Sequence, residues 1–138
     1  MILSDLGARV IKVEAPEIGD DSRKFGPFVQ DYSAYFMSLN RGKESIALNL
    51  KNEDDKKIFE KILAKAYILV ENFKPGTLEK WGYGWKDVSK KYPKLIYASA
   101  SGFGQTGPLR ELPAYDMVVQ GMGGLMSVTG QPNSEPTR

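Results

Sequence analysis

Asp116 stands at the head of an apolar, glycine-rich stretch, PAYDMVVQGMGGLMSVTG (113–130). It is a candidate for chemistry because the chain contains no cysteine and no histidine. Their absence excludes disulfides, thiol nucleophiles, thiolate metal sites, Ser-His-Asp triads and imidazole bases within this sequence. Carboxylates, lysines, tyrosines, hydroxyls and backbone N–H groups remain. From the pattern alone, an acid in a first helical turn more often complements the helix dipole than performs catalysis.

The loop in VENFKPGTLEKWG (70–82) has the features of a ligand site. It follows a predicted strand, and open α/β sheets bind ligands beyond the carboxyl ends of their strands. Thr77 is predicted to cap the next helix, whose N–H groups would attract an anion. Lys74 and Lys80 add cations, and Phe73 could stack on an aromatic ring. The alternative is a generic strand-to-helix connection with Phe73 in the core.

Four other segments carry weaker signals. Lys51 follows another strand in LNLKNEDD and is well placed for a phosphate, although a single lysine there is more often a solvated surface residue. SGFGQTG (101–107) lacks the Lys-Ser/Thr ending of a phosphate loop; close backbone approach to a ligand or another chain and a flexible loop are both open. GMGG (121–124) lies within a helical segment, where small residues favour tight packing. DDSR (20–23) permits a local ion pair.

The elements that must position these residues alternate between strand and helix. Apolar runs predict strands at 9–14, 45–50, 67–72 and 95–100. The run YILV (67–70) is typical of a strand covered on both faces. Asn52 can cap a helix over 53–66, so 45–72 forms a predicted βαβ unit. Further helices are predicted over 77–82, 85–93 and 114–128, and the fold class is therefore α/β.

Composition sets further limits. The 138 residues suit one domain, and a net charge of +2 does not indicate a nucleic-acid partner. No apolar run approaches the ~18 residues of a membrane span. The first residues resemble the end of a helix, and QPNSEPTR (131–138) ends without an element. We interpret both termini as cut edges, with frayed ends of a complete small domain as the alternative.

Five stretches in this order resemble the class III CoA-transferases: DLGARVIKVEAPEIGDDSR, NRGKESIALNLK, VENFKPGTLEKWG, SASGFGQTGP and AYDMVVQGMGGLMSVTG. This family includes formyl-CoA, carnitine and succinate-dependent CoA-transferases and related racemases of branched acyl-CoA. The resemblance implies a Rossmann-like parallel sheet with flanking helices, here an incomplete large domain (1–138) truncated at both ends. It also implies an interlocked homodimer in the full-length enzyme.

The resemblance implies the reaction and the site as well. Coenzyme A would move from an acyl-CoA to a carboxylic acid through an aspartyl mixed anhydride and an aspartyl-CoA thioester. The aspartate nucleophile is expected beyond Arg138, with Tyr115 and Asp116 as supporting active-site residues. No resident cofactor or metal is implied, because acyl-CoA is a substrate. The CoA-binding positions carried over are Leu48, Lys51, Asn72, Phe73, Thr77 and Lys80.

Two other functions stay open from the sequence. One is the racemase branch of the same family, which moves a proton next to the thioester. The other is a CoA- or nucleotide-binding module without chemistry, which would be favoured if the gene stopped after Arg138. The motifs GYGW, SGFGQTGP and GLMSVTG favour the transferase branch that uses dicarboxylic acyl groups such as succinyl. The expected partners are acyl-CoA and a small carboxylic acid, with no membrane, in the cytoplasm or a eukaryotic mitochondrial matrix.

Overall fold

The computed structural model describes residues 1–135 and 137. Helices and strands alternate along most of the chain. The helices are α1 Ile2–Asp5, α2 Ala34–Asn40, α3 Glu53–Leu63, α4 Thr77–Lys80, α5 Trp85–Lys91, α6 Asp116–Met122 and α7 Leu125–Val128, with a 3-10 helix at Asp21–Lys24. The strands are β1 Val10–Glu14, β2 Phe28–Val29, β3 Tyr32–Ser33, β4 Lys43–Ala47, β5 Ile68–Glu71 and β6 Ile96–Ser99.

The first compact unit comprises Met1–Ile62. Its parallel pair β1–β4 aligns Val10 with Lys43 and Glu14 with Ala47. The β4 strand begins two residues before its predicted start at 45. The segment 15–33, predicted as a loop, contains the 3-10 helix and the short antiparallel hairpin β2–β3. A pair of two-residue strands has no periodicity to detect, which is why the sequence pattern missed it.

Helix α3 starts as its sequence predicts. The Asn52 side-chain oxygen accepts a hydrogen bond from the Asp54 backbone N–H at 2.8 Å, so it occupies one of the unpaired donors of the first turn. Three acids in that turn suit the positive end of the helix dipole. Phe59 and Leu63 are buried, and their four-residue spacing places them on one helix face. The predicted cap at Asn52 is confirmed.

The second compact unit begins at Leu63. Its parallel pair β5–β6 aligns Ile68 with Ile96 and Glu71 with Ser99. Its buried apolar residues include Leu78, Tyr83, Val88 and Leu95. The α/β class with parallel strands and flanking helices is therefore confirmed.

Two details differ from the sequence prediction. Ile68 and Val70 of β5 are exposed, so the run YILV is not covered on both faces here. The strands of the predicted βαβ unit, β4 and β5, are hydrogen-bonded to different partners.

Among the described residues, no helix has both the length and the apolar character needed to cross a membrane.

The predicted helix over 114–128 is two short helices. Gly124 has φ +78°, a left-handed conformation that an L-residue rarely adopts and that breaks the helical run between α6 and α7. A Cβ on Gly123 would lie 2.9 Å from the Val119 carbonyl oxygen. These two glycines therefore permit a sharp break. Packing against another helix or chain stays a prediction.

Candidate functional site

The loop after β5 is shaped by the last residue of that strand. One carboxylate oxygen of Glu71 accepts a hydrogen bond from the Phe73 backbone N–H at 2.8 Å. The turn is completed by Thr77 N–H donating to the Lys74 carbonyl at 3.0 Å. Gly76, with φ +85°, precedes helix α4 in the capping position. The sequence motif did not single out Glu71, because a glutamate is not among the residues that commonly bond the backbone N–H two residues later.

The prediction that Thr77 caps the following helix is wrong. Gly76 is the N-cap, no side chain caps this end, and Thr77 is the first helical residue. The left-handed backbone at position 76 requires glycine, so the turn moves the cap one residue earlier. Because α4 spans only Thr77–Lys80, few aligned peptide dipoles are available to attract an anion.

Phe73 forms an aromatic platform at this loop. Its ring packs edge-on against Trp81, with 5.4 Å between ring centres and an interplanar angle of 73°. Phe73 is still 44% exposed. This exposure contradicts the alternative in which Phe73 is a core residue. A partly exposed ring held by a second aromatic side chain can stack on a planar ligand, and the sequence motif did not identify Trp81 as its support.

The polar residues of the same loop are accessible. Asn72 and Lys80 are both exposed. The Lys74 Nζ atom lies 3.5 Å from a carboxylate oxygen of Glu111, so Lys74 is engaged at the surface. An exposed pair of this kind contributes ~0–1 kcal/mol. Lys80, the last residue of α4, offers an accessible cation beside this loop.

Leu48 and Lys51 lie in the first unit, just after β4. The Leu48 side chain is buried, and its N–H donates to the Glu14 carbonyl at 2.9 Å, which extends the β1–β4 pairing. Lys51 is exposed, and its backbone N–H donates to the side-chain oxygen of Asn49 at 3.0 Å. The Asn49 N–H in turn donates to Asp55 at 2.8 Å. Side-chain contacts thus fix the backbone that presents Lys51.

Tyr115 and Asp116 stand at the start of α6. Tyr115 is its N-cap residue with extended backbone, and its side chain is 74% exposed. One Asp116 carboxylate oxygen accepts a hydrogen bond from the Gln120 side-chain amide at 2.6 Å. Asp116 is exposed in the first turn, where the helix dipole favours a negative charge. Both groups are accessible to a substrate.

Gly102 allows the segment after β6 to pack closely against the segment that leads into Asp116. A Cβ placed on Gly102 would overlap the Cβ of Ala114 and lie 3.1 Å from its Cα. The segment after β6 and the segment before Asp116 can approach this closely only because position 102 has no side chain. As a result, Asp116 lies near the carboxyl end of β6, the same sheet edge as the loop after β5. This approach of Gly102 to Ala114 lies within the chain itself, and the anticipated approach of SGFGQTG to a ligand or another chain stays a prediction.

Behind this edge, Tyr97 of β6 anchors the GYGW motif. Its hydroxyl donates to the Tyr83 carbonyl at 3.0 Å, and its ring packs edge-on against Trp85 with centres 6.0 Å apart. Burial raises the pKa of Tyr97 to about 12. The phenol therefore stays protonated at neutral pH and acts as a structural donor.

A charge network that the sequence did not predict joins the first unit's sheet to the segment after β1. Arg23 forms two hydrogen bonds with the buried Glu14, and Lys12 contacts Asp20. Within DDSR, Arg23 and Asp20 therefore form their ion pairs with residues of β1, Glu14 and Lys12, rather than with each other. Such pairs form between residues that folding brings together, so no fixed spacing in the sequence predicts them.

Comparison with known proteins decides the family. The sequence profile of CoA-transferase family III matches residues 1–138. The chain belongs to this family. It is 56% identical over 137 residues to the acetyl-CoA:oxalate CoA-transferase of Acetobacter aceti, covering 99% of this chain and 35% of that protein. It is 46% identical over 139 residues to the human succinyl-CoA:glutarate CoA-transferase, covering 100% of this chain and 32% of that protein.

A solved structure shows the same fold. A CAIB/BAIF family protein from Brucella suis matches with a TM-score of 0.90 and 45% sequence identity, covering 99% of this chain and 37% of that one. The chain therefore spans about a third of the length of the CoA-transferases it matches. The family resemblance in the five motifs is confirmed, whereas the roles of individual residues stay predictions.

Proposed function

We propose that the full-length protein is a CoA-transferase that moves coenzyme A from an acyl-CoA to a dicarboxylate. The observation that carries the proposal is the family match over residues 1–138. The names of the two relatives described above supply the substrate class: their acceptors, oxalate and glutarate, are dicarboxylates, while their donors differ. The proposal therefore specifies the acceptor class and leaves acetyl-CoA and succinyl-CoA as donors to be compared.

The chemistry follows from the groups that family resemblance supplies. A carboxylate of an aspartate beyond Arg138 attacks the thioester carbonyl, which releases CoA thiolate and forms a mixed anhydride. The thiolate attacks the aspartyl carbonyl, which frees the donor acid and leaves an aspartyl-CoA thioester. The acceptor carboxylate attacks this thioester and regenerates thiolate and an anhydride. Thiolate attack on the acceptor's carbonyl completes the new acyl-CoA and restores the aspartate.

The residues of this chain bind and position CoA in this proposal. Phe73 supplies a ring surface, and Lys80 supplies an accessible cation for a phosphate. A lysine at position 80 supplies a positive charge without the bidentate phosphate geometry that an arginine would offer. The other CoA-binding positions that the resemblance implies are Lys51, Leu48, Asn72 and Thr77. Leu48 would contact CoA through its main chain because its side chain is buried.

Tyr115 and Asp116 support the reaction rather than forming the covalent intermediate. Their exposure at the start of α6 leaves both groups accessible to substrate. Asp116 would help to place the substrate, the nucleophile or a proton. The enzyme would act as a homodimer, as the interlocked architecture of the resembling family implies.

The test uses the full-length protein with acetyl-CoA or succinyl-CoA and either oxalate or glutarate. We expect a new acyl-CoA and one equivalent of the donor acid, measured by liquid chromatography and mass spectrometry. The same reaction in deuterated water follows exchange at the α-carbon of a branched acyl-CoA. Exchange without CoA transfer would assign the protein to racemase chemistry. Binding of CoA with neither reaction would leave a binding module and refute the proposal.

A further inference from the structure

The carboxyl end of β1 carries a buried carboxylate with an elaborate set of partners. The Glu14 side chain is only 4% exposed. It receives two hydrogen bonds from Arg23, Nε at 3.0 Å and Nη2 at 2.9 Å, and a third from the Ser45 hydroxyl of β4 at 2.8 Å. A buried carboxylate is costly unless it is paired and hydrogen-bonded. This one therefore holds Arg23 firmly in place.

Arg23 is fixed on its other side as well. Its guanidinium carbon lies 3.9 Å from the centre of the Phe36 ring of α2, within the range of a cation–π interaction. Gly19 packs directly on the pair, since a Cβ there would lie 3.1 Å from Arg23 Nε and 3.2 Å from a Glu14 carboxylate oxygen. The ion pair thus joins β1, α2 and the intervening segment.

Two further contacts fasten the same segment, residues 15–25, which we call the β1 loop. Asp20 caps the 3-10 helix by accepting from the Ser22 N–H at 2.8 Å, and its carboxylate also contacts Lys12 of β1. The buried Ser33 hydroxyl, which caps α2 at the Phe36 N–H, also donates to the Ser22 carbonyl at 3.0 Å. Three independent attachments are more than a surface connection needs.

We propose that Arg23 and Glu14 are positioning residues that hold the β1 loop as a wall of the CoA-binding site within the first unit, beside Leu48, whose N–H donates to the Glu14 carbonyl at 2.9 Å. The inference rests on the proposed function. The loop starts at the carboxyl end of β1, where parallel α/β sheets bind their ligands. Its end presents Phe25, which is half-exposed and packs against Tyr35 with ring centres 5.7 Å apart. A bidentate pair fixes orientation as well as distance, which a ligand-facing wall requires.

The chain provides a matched control at the opposite end of the same strand pair. Arg9 also bonds a carboxylate through two hydrogen bonds, Nε and Nη2 to Glu44 at 2.7 and 2.8 Å. This pair is largely exposed, with side chains 74% and 57% accessible. Arg9→Lys and Arg23→Lys therefore remove the same bidentate geometry while keeping the charge. Only the second change acts at the ligand-facing end.

The experiment compares both variants with the wild-type full-length enzyme in kcat, KM for acyl-CoA and KM for the acid. We expect Arg23→Lys to raise either the KM for acyl-CoA or the KM for the acid about tenfold. Small misplacements at a site can reduce catalytic efficiency by up to ~100-fold. Arg9→Lys should leave both KM values near wild type. Melting temperatures are recorded for all three proteins, and Arg23→Gln provides a stronger second variant if it folds.

The outcomes separate the two proposals. A purely structural role for Arg23 would reduce the folded fraction, which lowers apparent kcat and leaves KM unchanged. That result, or an unchanged KM in both arginine variants, overturns the positioning role. If wild-type enzyme transfers no CoA, the proposed function fails first. In that case, CoA affinity is measured by calorimetry. A change in Arg23→Lys but not in Arg9→Lys still supports the role of Arg23 in positioning the β1 loop for ligand binding. Equal affinities in the two variants refute that role.

Discussion

At the scale of single residues, the site depends on accessible groups held by few contacts. Asp116 shows how far the sequence could be used. Its position in a first helical turn was predictable, and its exposure and its bond to Gln120 agree with that position. The pattern could not distinguish a dipole-complementing acid from a catalytic one, because both require the same placement. Family resemblance gave Asp116 a role, and only mutation can test it.

Asp116→Asn should lower kcat about tenfold or more in the full-length enzyme, since a positioned acid or base contributes ~100-fold or more. Stability should change by less than ~0.5 kcal/mol because the residue is exposed. Asp87→Asn is the matched control, an exposed acid in the first turn of the seven-residue helix α5. Steady-state kinetics and thermal melts measure both. Equal turnover in wild type and Asp116→Asn would return Asp116 to a dipole-complementing role.

Glu14 gives a pH-dependent contribution to stability. Hydrogen bonds from Arg23 chiefly, and from Ser45, hold the pKa of Glu14 below its ordinary value of 4.5, although burial opposes them. The folded state therefore favours the carboxylate. This stability is fully present above the unfolded pKa and is lost as pH falls through the folded one.

Glu14→Gln should therefore destabilise the full-length protein most at neutral pH, by about 1–3 kcal/mol for a buried charged hydrogen-bond partner. The difference from wild type should shrink below about pH 4. Urea unfolding across pH 3–7 measures it. Glu44→Gln, in the exposed pair with Arg9, should cost less than ~1 kcal/mol. A Glu14→Gln penalty that stays constant down to pH 3 would show that the charge of Glu14 does not stabilise the fold.

At the scale of elements, periodic patterns were predictable and backbone breaks were not. The strand β1 and the cap of α3 follow directly from apolar runs and from Asn52. The hairpin β2–β3 and the helix break at Gly124 were missed, because two-residue strands have no period and a left-handed glycine has no fixed spacing. The cap before α4 was misplaced for the same reason, since Gly76 adopts a backbone that the motif does not reveal.

The close approach of Gly102 and Ala114 leads to a prediction for the loop after β6. Gly102→Ala should force the two segments apart, because the added methyl overlaps the Ala114 side chain. We expect a stability loss of about 1–3 kcal/mol from overpacking. Turnover should also fall, because the displaced segment leads into Asp116. Melting temperature and kcat of the full-length variant measure the two effects.

Gly121→Ala is the matched control for this change. A Cβ at Gly121 meets nothing nearer than the Met126 sulfur at 3.9 Å, and the residue lies inside helix α6. Alanine should stabilise that helix by up to ~1 kcal/mol. If Gly102→Ala is as stable and active as Gly121→Ala, the two segments do not need their close approach.

At the scale of the whole molecule, the chain has the apolar surface of a part of a larger protein. Tyr67, Val70 and Ile96 are exposed on strands or beside them, and Met122 and Val128 are exposed on the last two helices. Contiguous apolar patches mark interaction surfaces, and we expect these residues to form such patches. The α/β class was predictable from alternating strands and helices. The segments or chains that cover these surfaces could not be predicted, because contacts between distant segments leave no local sequence pattern.

The 138-residue chain expressed alone should show no CoA transfer and low solubility. The proposed nucleophile lies beyond Arg138, and the exposed apolar residues would promote association. Size-exclusion chromatography and the transfer assay compare this chain with the full-length protein. Turnover by the isolated chain would place the nucleophile within the 138 residues, and a soluble monomer would show that the apolar surface needs no cover.

The most direct test of the carboxylate mechanism is to map the covalent adduct. Full-length enzyme is incubated with acyl-CoA without an acceptor, digested at low pH, and its peptides are weighed by mass spectrometry. We predict CoA or an acyl group on an aspartate beyond Arg138, with an unmodified peptide containing Asp116. An adduct on Asp116, or the absence of any adduct in an enzyme that transfers CoA, would contradict the mechanism.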